Sequence, residues 1–286
     1  MKFNFYIINI YIYIIIIIIY MEFNLENIGR NIAKIEGGKY NNKILSIEDK
    51  EDNEVKKGFP KMDLMNNCVF QQIPDKSKER MILYITGPSG SGKSTYTSKY
   101  LKQYKTLYKN NPIYVFSHLK EDEVLDVFNP KRIKIGDNLL TSPLNVEMFK
   151  NSLCIFDDID VISNKNYQNA VYAILNEILE TGRHFFTSCI FTNHTPTAGN
   201  KTKRILNEAN SVTYFPHSGS LRGYKYLLME YLGLDKTTIK KIKKTKSRWC
   251  TIFKNYPQII MTERAISLMD EDSENESETE KKKKKK

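Results

Sequence analysis

The chain has 286 residues, 41% of them hydrophobic, and a formal net charge of +11. That is enough apolar material to bury a sizeable core in one large domain or two small ones. The four cysteines (Cys68, Cys154, Cys189, Cys250) lie far apart without a C-x-x-C pair, and the four histidines lack metal-ligand spacing. This excludes a disulfide framework and a histidine metal centre, and points to free thiols in a reducing compartment.

In chain order, Phe5 to Met21 is an apolar run interrupted only by Asn9, about 25 Å long as a helix and so just able to cross a thin bilayer. It reads either as a signal anchor or as translated upstream sequence. Residues 1–20 use only Met, Lys, Phe, Asn, Tyr and Ile, without the Leu and Gly of ordinary membrane helices. That usage favours upstream sequence, with the start at Met21. Residues 21–80 form an N-terminal extension, with strand-like pieces at Lys43–Ile47 and Cys68–Ile73, expected to add edge strands or a small cap.

From Met81 the pattern becomes regular. "MILYIT" is a continuous apolar run, as in a strand buried on both faces. A glycine-rich loop follows, then a helix from about Lys93 to Tyr108 and a strand at "PIYVFS". A short strand is expected at Arg132 to Ile135 and a helix near Asn145 to Lys150. "SLCIFDDID" is another buried strand, ending in acids. Val171, Ile174, Leu175, Ile178 and Leu179 repeat with helical period, and Gly182 suits the C-cap of that helix. "FTSCIFTN" is the next strand, "KTKRILNEAN" a short helix, and "SVTYF" a further strand. Strands alternating with helices predict an α/β fold with a mostly parallel central sheet between helical layers. This core spans residues 81–217.

Residues 218–269 read as a small basic C-terminal subdomain of helices and strands. Its helix near Lys236–Lys246 carries Lys236, Lys240, Lys241, Lys243, Lys244 and Lys246, with Arg248 following, while Leu234, Ile239 and Ile242 pack inward. Such a face suits either the phosphate backbone of nucleic acid or plain solvent. The tail, residues 270–286, has seven acids and six lysines. It is low-complexity, is expected to be disordered, and leaves +12 on the body.

The chemistry concentrates at three strand ends. "ITGPSGSGKST" fits G-x-x-x-x-G-K-[ST] over Gly87, Pro88, Ser89, Gly90, Ser91, Gly92, Lys93 and Ser94, with Thr95 next. Glycines let backbone N–H groups and a helix N-terminus surround phosphates. Lys93 then reaches the β- and γ-oxygens of ATP, Ser94 ligates Mg²⁺, and Thr95 serves the α-phosphate. "LCIFDD" supplies a Walker B strand, with Asp157 for Mg²⁺ and Asp158 to polarise the attacking water. Thr192 or Asn193, at the tip of "CIFTN", fits a sensor of the γ-phosphate; strand-end turn chemistry is the plainer reading of that pair.

Together, "SLCIFDDID", "ETGRHFFTSCIFTNH" and "KRILNEANSVTYF" resemble the poxvirus-type DNA-packaging ATPases of large nucleocytoplasmic DNA viruses. These belong to the FtsK–HerA branch of additional-strand P-loop NTPases. The resemblance covers about residues 80–217, and its most particular part is Gly182–Arg183–His184. It implies ATP hydrolysis with Mg²⁺, a homo-oligomeric ring, double-stranded DNA as partner, and location in the host cytoplasm or virion. It also implies a cation reaching the γ-phosphate from a neighbouring subunit, for which Arg183 and Arg204 are candidates. The sequence departs from the family at Asp158, where Glu is usual, and at Thr192–Asn193, where Gln is usual. Asp reaches less far than Glu, which keeps open a nucleotide-binding scaffold with little turnover. A P-loop kinase is the other alternative, although no arginine-rich lid is visible. A GTPase is disfavoured because "NKNY" at Asn164–Tyr167 lacks the Asp of the base-reading motif.

Overall fold

Strand β1 (Tyr20–Asn24) is followed by β2 (Arg30–Glu36), β3 (Ile44–Lys50), β4 (Lys61–Asp63) and β5 (Val69–Gln72). The computed structural model describes residues 20–50 and 61–269. Most of the apolar N-terminal run, residues 51–60 and the tail 270–286 lie outside the described residues. Four of these strands form an antiparallel sheet in the order β1–β3–β2–β5. The predicted pieces at 43–47 and 68–73 are thus β3 and β5, and the cap is a whole sheet. Only β4 takes the expected edge position, on the large sheet described next.

The large sheet is built from β6 (Ile82–Thr86), β7 (Ile113–Ser117), β8 (Lys131–Arg132), β9 (Leu153–Asp157), β10 (Ser188–Asn193), β11 (Ser211–Tyr214), β12 (Cys250–Phe253), β13 (Ile259–Thr262) and β14 (Ala265–Leu268), with β4 at its end. Its order is β4–β14–β13–β12–β11–β6–β10–β9–β7–β8. The six strands from β11 to β8 run parallel, and the four beyond β11 are antiparallel. The continuous apolar runs sit at the centre: every residue of β6, β9 and β10 is buried, as parallel strands covered on both faces require. Residues 250–268 extend this same sheet, and β14 has no counterpart in the sequence reading.

Helix α1 (Lys93–Leu107) packs on one face, where Leu83, Ile85, Ile155 and Ile190 meet Tyr96, Tyr100 and Leu101. The N-terminal sheet shares this core through Ile32, Ile35, Leu45 and Phe70. Buried polar contacts join the layers: Tyr96 Oη donates to Gln72 Oε1 at 2.7 Å, and Gln72 Nε2 to Ser211 Oγ at 2.9 Å. The other face carries the one-turn α2 (Asn138–Thr141), then α3 (Lys165–Thr181), α4 (Asn200–Glu208), α5 (Leu221–Tyr226) and α6 (Lys236–Lys244) over Tyr84, Phe116, Phe156 and Phe191. The expected helix near 145–150 is a single 3₁₀ turn, Val146–Phe149, capped by the Asn145 side chain.

Helix α3 begins where the Asn164 side chain accepts the N–H groups of Asn166 and Tyr167, satisfying donors that a first turn leaves free. It buries all five predicted apolar positions. At about 1.5–3 kcal/mol each, these contribute on the order of 10 kcal/mol before entropy is counted. Ile178→Asn would place an unpaired amide in that layer. Gly182 is the C-cap that the sequence suggests, its N–H donating to the Ile178 carbonyl, and it stays right-handed at φ −57°. The missing side chain leaves room for a guanidinium: a Cβ would stand 2.9 Å from Arg80 Nη1, which would have to shift. The Arg80 guanidinium itself donates to the carbonyls of Ile178 and Leu179, and so closes the helix end.

Candidate active site

The parallel order places β10 between β6 and β9, so the carboxyl ends of three adjacent strands meet at one edge of the sheet. Each of these ends carries one of the sequence signals. The loop after β6 is tied to the end of β10 by the Gly87 N–H, which donates to the Asn193 carbonyl at 3.0 Å. Gly87 lies against Ser91 and the buried ring of Phe215, where a Cβ would come within 2.5 and 2.7 Å of side-chain atoms. Gly92 opens α1 with φ +107°, a left-handed conformation that glycine adopts without penalty. Pro88, Ser89, Gly90 and Ser91 complete the turn, with the Ser91 N–H donating to the Pro88 carbonyl at 3.1 Å. Ser94 is half-buried and Thr95 exposed on the first turn of α1.

Lys93 folds back over the loop. Its ammonium donates to the Gly87 carbonyl at 3.0 Å and lies 3.5 Å from Asp158 Oδ2 and 3.3 Å from His194 Nδ1. The opposite ring nitrogen, His194 Nε2, is 3.0 Å from the same Asp158 oxygen. Asp158 is held in the left-handed region at φ 45°, ψ 42°, a conformation that costs a non-glycine residue about 1–2 kcal/mol. Its N–H donates to Thr192 Oγ1 at 3.1 Å, while that hydroxyl donates to Asp157 Oδ1 at 2.8 Å. Burial pushes the Asp158 carboxyl above the ordinary carboxylate range; the Lys93 ammonium pulls the other way, and Asp157 adds a like charge.

Asp157 is 7% exposed. Its two oxygens accept from neutral hydroxyls, Thr192 on β10 and, at 3.2 Å, Ser117 on β7. Among the described residues no ion pair neutralises it. A buried carboxylate without a cation is electrostatically incomplete, and a carboxylate or a hydroxyl such as that of Ser94 is the kind of hard oxygen ligand that Mg²⁺ takes. No group of three or more His, Cys, Asp or Glu able to hold a metal occurs among the described residues.

Of the sensor pair, Thr192 is the residue against the acids. Strand alternation turns Asn193 to the α3 face, where its carboxamide is fully buried and makes no hydrogen bond of ordinary geometry. Arg183 and Arg204 stand elsewhere. Arg183 pairs with Glu79 at 3.6 Å, just before β6 and so at the amino edge of the sheet, about 15 Å from the loop along a five-residue strand. Arg204 pairs with Glu180 near the end of α3 at 2.8 Å. Both are exposed, and within this chain neither is brought to Lys93 or the acids.

Sequence reasoning missed two contributors. His194 directly follows the sensor pair, and Ser117 ends the second strand of the core; only the strand order places them beside Asp158 and Asp157. It also missed a shallow cavity of about 80 Å³ beside the loop, lined by Thr95, Lys99, Phe215, Arg248 and Trp249 among others.

The chain is 41% identical over 242 residues to uncharacterized protein V3 of the Sputnik virophage, spanning 84% of this chain and 96% of V3. No protein-family profile matches it. Among solved structures it is similar to the genome packaging NTPase B204 of Sulfolobus turreted icosahedral virus 2 in complex with AMPPCP. The TM-score is 0.44 at 13% identity, over 65% of this chain and 99% of that one. It is likewise similar to the pCW3 conjugation coupling protein TcpA with ATPγS, with TM-score 0.44 at 13% identity over 81% of this chain and 76% of that one.

Proposed function

The chain belongs to the same protein family as V3 of the Sputnik virophage, and on the geometry of its three strand ends we propose that it is a P-loop ATPase. The observation that carries this reading is the convergence of Lys93, Asp158 and Asp157 with Thr192 across β6, β9 and β10. In it the loop N–H groups and the α1 N-terminus hold the ATP phosphates, and Lys93 leaves Asp158 for the β- and γ-oxygens. Thr95 faces the α-phosphate, and the nucleoside extends toward the cavity beside Phe215 and Trp249. Ser94 and Asp157 hold Mg²⁺, which when bound draws negative charge off the phosphates. Asp158 and its neighbours polarise the attacking water, with Thr192 fixing the geometry of both acids and Asn193 beside it supporting the strand end.

We further propose that the protein works as a homo-oligomeric motor that translocates or packages double-stranded DNA of a virus, in the virion or host cytoplasm. Support comes from the resemblance in residues 80–217 and from α6. There Lys236, Lys240, Lys241, Lys243 and Lys244 are exposed while Ile242 is buried, a surface suited to phosphate backbone without base readout. In such a ring Arg183 or Arg204 would serve the neighbour's γ-phosphate. Among the described residues no helix is long and apolar enough to cross a membrane.

The test is phosphate release from Mg·ATP with and without double-stranded DNA, beside Lys93→Ala and Asp158→Asn. DNA-stimulated release abolished in both variants is the expected result. The shorter reach of Asp158 favours one second reading, a nucleotide-binding scaffold; tight ATP binding with no phosphate release in either condition would establish it against the motor.

A further inference from the structure

An ammonium group is a donor only. Lys93 Nζ, 3.3 Å from His194 Nδ1, therefore makes Nδ1 an acceptor and leaves the ring proton on Nε2, where it faces Asp158 Oδ2 at 3.0 Å. The contacts thus define a neutral, oriented imidazole, with a carboxylate behind it and its free lone pair turned toward the place Lys93 occupies. Thr192 locks the carboxylate in turn through the Asp158 N–H. This is the arrangement in which a carboxylate orients a histidine base.

We propose that His194 Nδ1 is the proton acceptor for the attacking water and that Asp158 is its positioning residue, which rests on the ATPase reading above. In the structure the base is masked, because the Lys93 ammonium occupies its lone pair. When the β- and γ-phosphate oxygens draw Lys93 away, Nδ1 is released on the γ-phosphate side of the loop. The water oxygen then bonds to the γ-phosphorus, the bond from that phosphorus to the bridging oxygen breaks, and ADP leaves with the electron pair. One water proton passes to Nδ1. The imidazolium so formed is stabilised by Asp158 at Nε2 and gives its proton to the released phosphate or to solvent. The dyad also restores the reach lost where Asp stands in place of Glu: the ring spans from the Asp158 oxygen to the Lys93 position.

The charged groups facing the ring are Lys93 from α1 and Asp158 from the end of β9, with Asp157 and Asp160 close behind Asp158. His194 is one-third exposed, against 8% for Lys93 and 22% for Asp158. Water therefore reaches the ring at the mouth of the site.

The experiment combines imidazole ¹⁵N NMR of the full chain with kinetics. Without nucleotide, at pH 7, the His194 signals (identified by their loss in His194→Gln) should report a protonated Nε2 and a bare Nδ1. Mg²⁺ with the β,γ-imido analogue of ATP should shift Nδ1 by removing its Lys93 donor. His194→Gln should bind that analogue within about threefold of the unsubstituted protein, release phosphate about 10²–10³-fold more slowly, and lose the acidic limb of the pH–kcat profile. Turnover of His194→Gln within about threefold of normal, a protonated Nδ1 without nucleotide, or a parallel loss of analogue binding would each overturn this assignment alone. No phosphate release by the unsubstituted protein would overturn it together with the ATPase reading.

Discussion

Thr192→Val keeps the shape of a side chain that is 1% exposed and removes one oxygen. That oxygen donates to Asp157 Oδ1 at 2.8 Å and accepts the Asp158 N–H at 3.1 Å. A hydrogen bond to a charged group is worth about 1.5–3 kcal/mol, and a buried N–H left without a partner costs about 1–3 kcal/mol. Ser117 still serves the other Asp157 oxygen, and water can relieve part of the loss at the half-buried Asp158, so the expected destabilisation is about 2–4 kcal/mol. The lost bond is also what holds Asp158 in its left-handed conformation, so its carboxylate should swing away from His194. Urea unfolding should therefore show a midpoint lowered by that energy, and phosphate release should fall about 10- to 100-fold with ATP affinity little changed. Thr192→Ser, which keeps the oxygen, should recover most of both. A Thr192→Val protein within about 0.5 kcal/mol of the unsubstituted one, with intact turnover, would refute the reasoning.

Gly87→Ala drives a methyl group into Ser91 Oγ and the buried Phe215 ring; an overpacking cost of about 1–3 kcal/mol and a loop unable to close on phosphate should appear as a lower melting temperature and weak ATP binding in calorimetry. Arg183→Ala and Arg204→Ala remove exposed ion pairs with Glu79 and Glu180, so each should cost less than about 1 kcal/mol in urea unfolding. A turnover loss in either that is rescued by mixing with Lys93→Ala subunits would mark it as acting across a subunit interface. Because the Asp158 carboxyl is raised in the folded chain, its contribution to stability is fully present below the usual Asp value near pH 4 and is lost as pH rises through the raised value. Asp158→Asn should flatten that slope in urea midpoints measured from pH 3.5 to 7.

Much of the core was legible because its signals are local. The apolar runs of β6, β9 and β10, the period of α3 and the loop at 87–94 each declare an element within a dozen residues. What a local signal leaves out is its distant partners. Gly182 reads as a helix cap and is one, but the sequence does not show that it also makes room for Arg80, about a hundred residues earlier in the chain. The region 21–80 lacks strong periodicity. Its sheet forms because Ile32, Ile35, Leu45 and Phe70 find a core already offered by α1 and the large sheet.

Sequence alone was enough to name a glycine-rich loop, an acidic strand end and a polar strand tip, and to order them along the chain. Their assembly depended on the insertion of β10 between β6 and β9. That pairing sets Thr192 rather than Asn193 against the acids, and places His194 between Lys93 and Asp158. Side chains alternate across a strand with period two, so the register of two neighbouring strands decides which residue of a pair faces the site. Contacts between residues 93, 158 and 194 span more than a hundred positions, and only the folded sheet brings them within hydrogen-bonding distance.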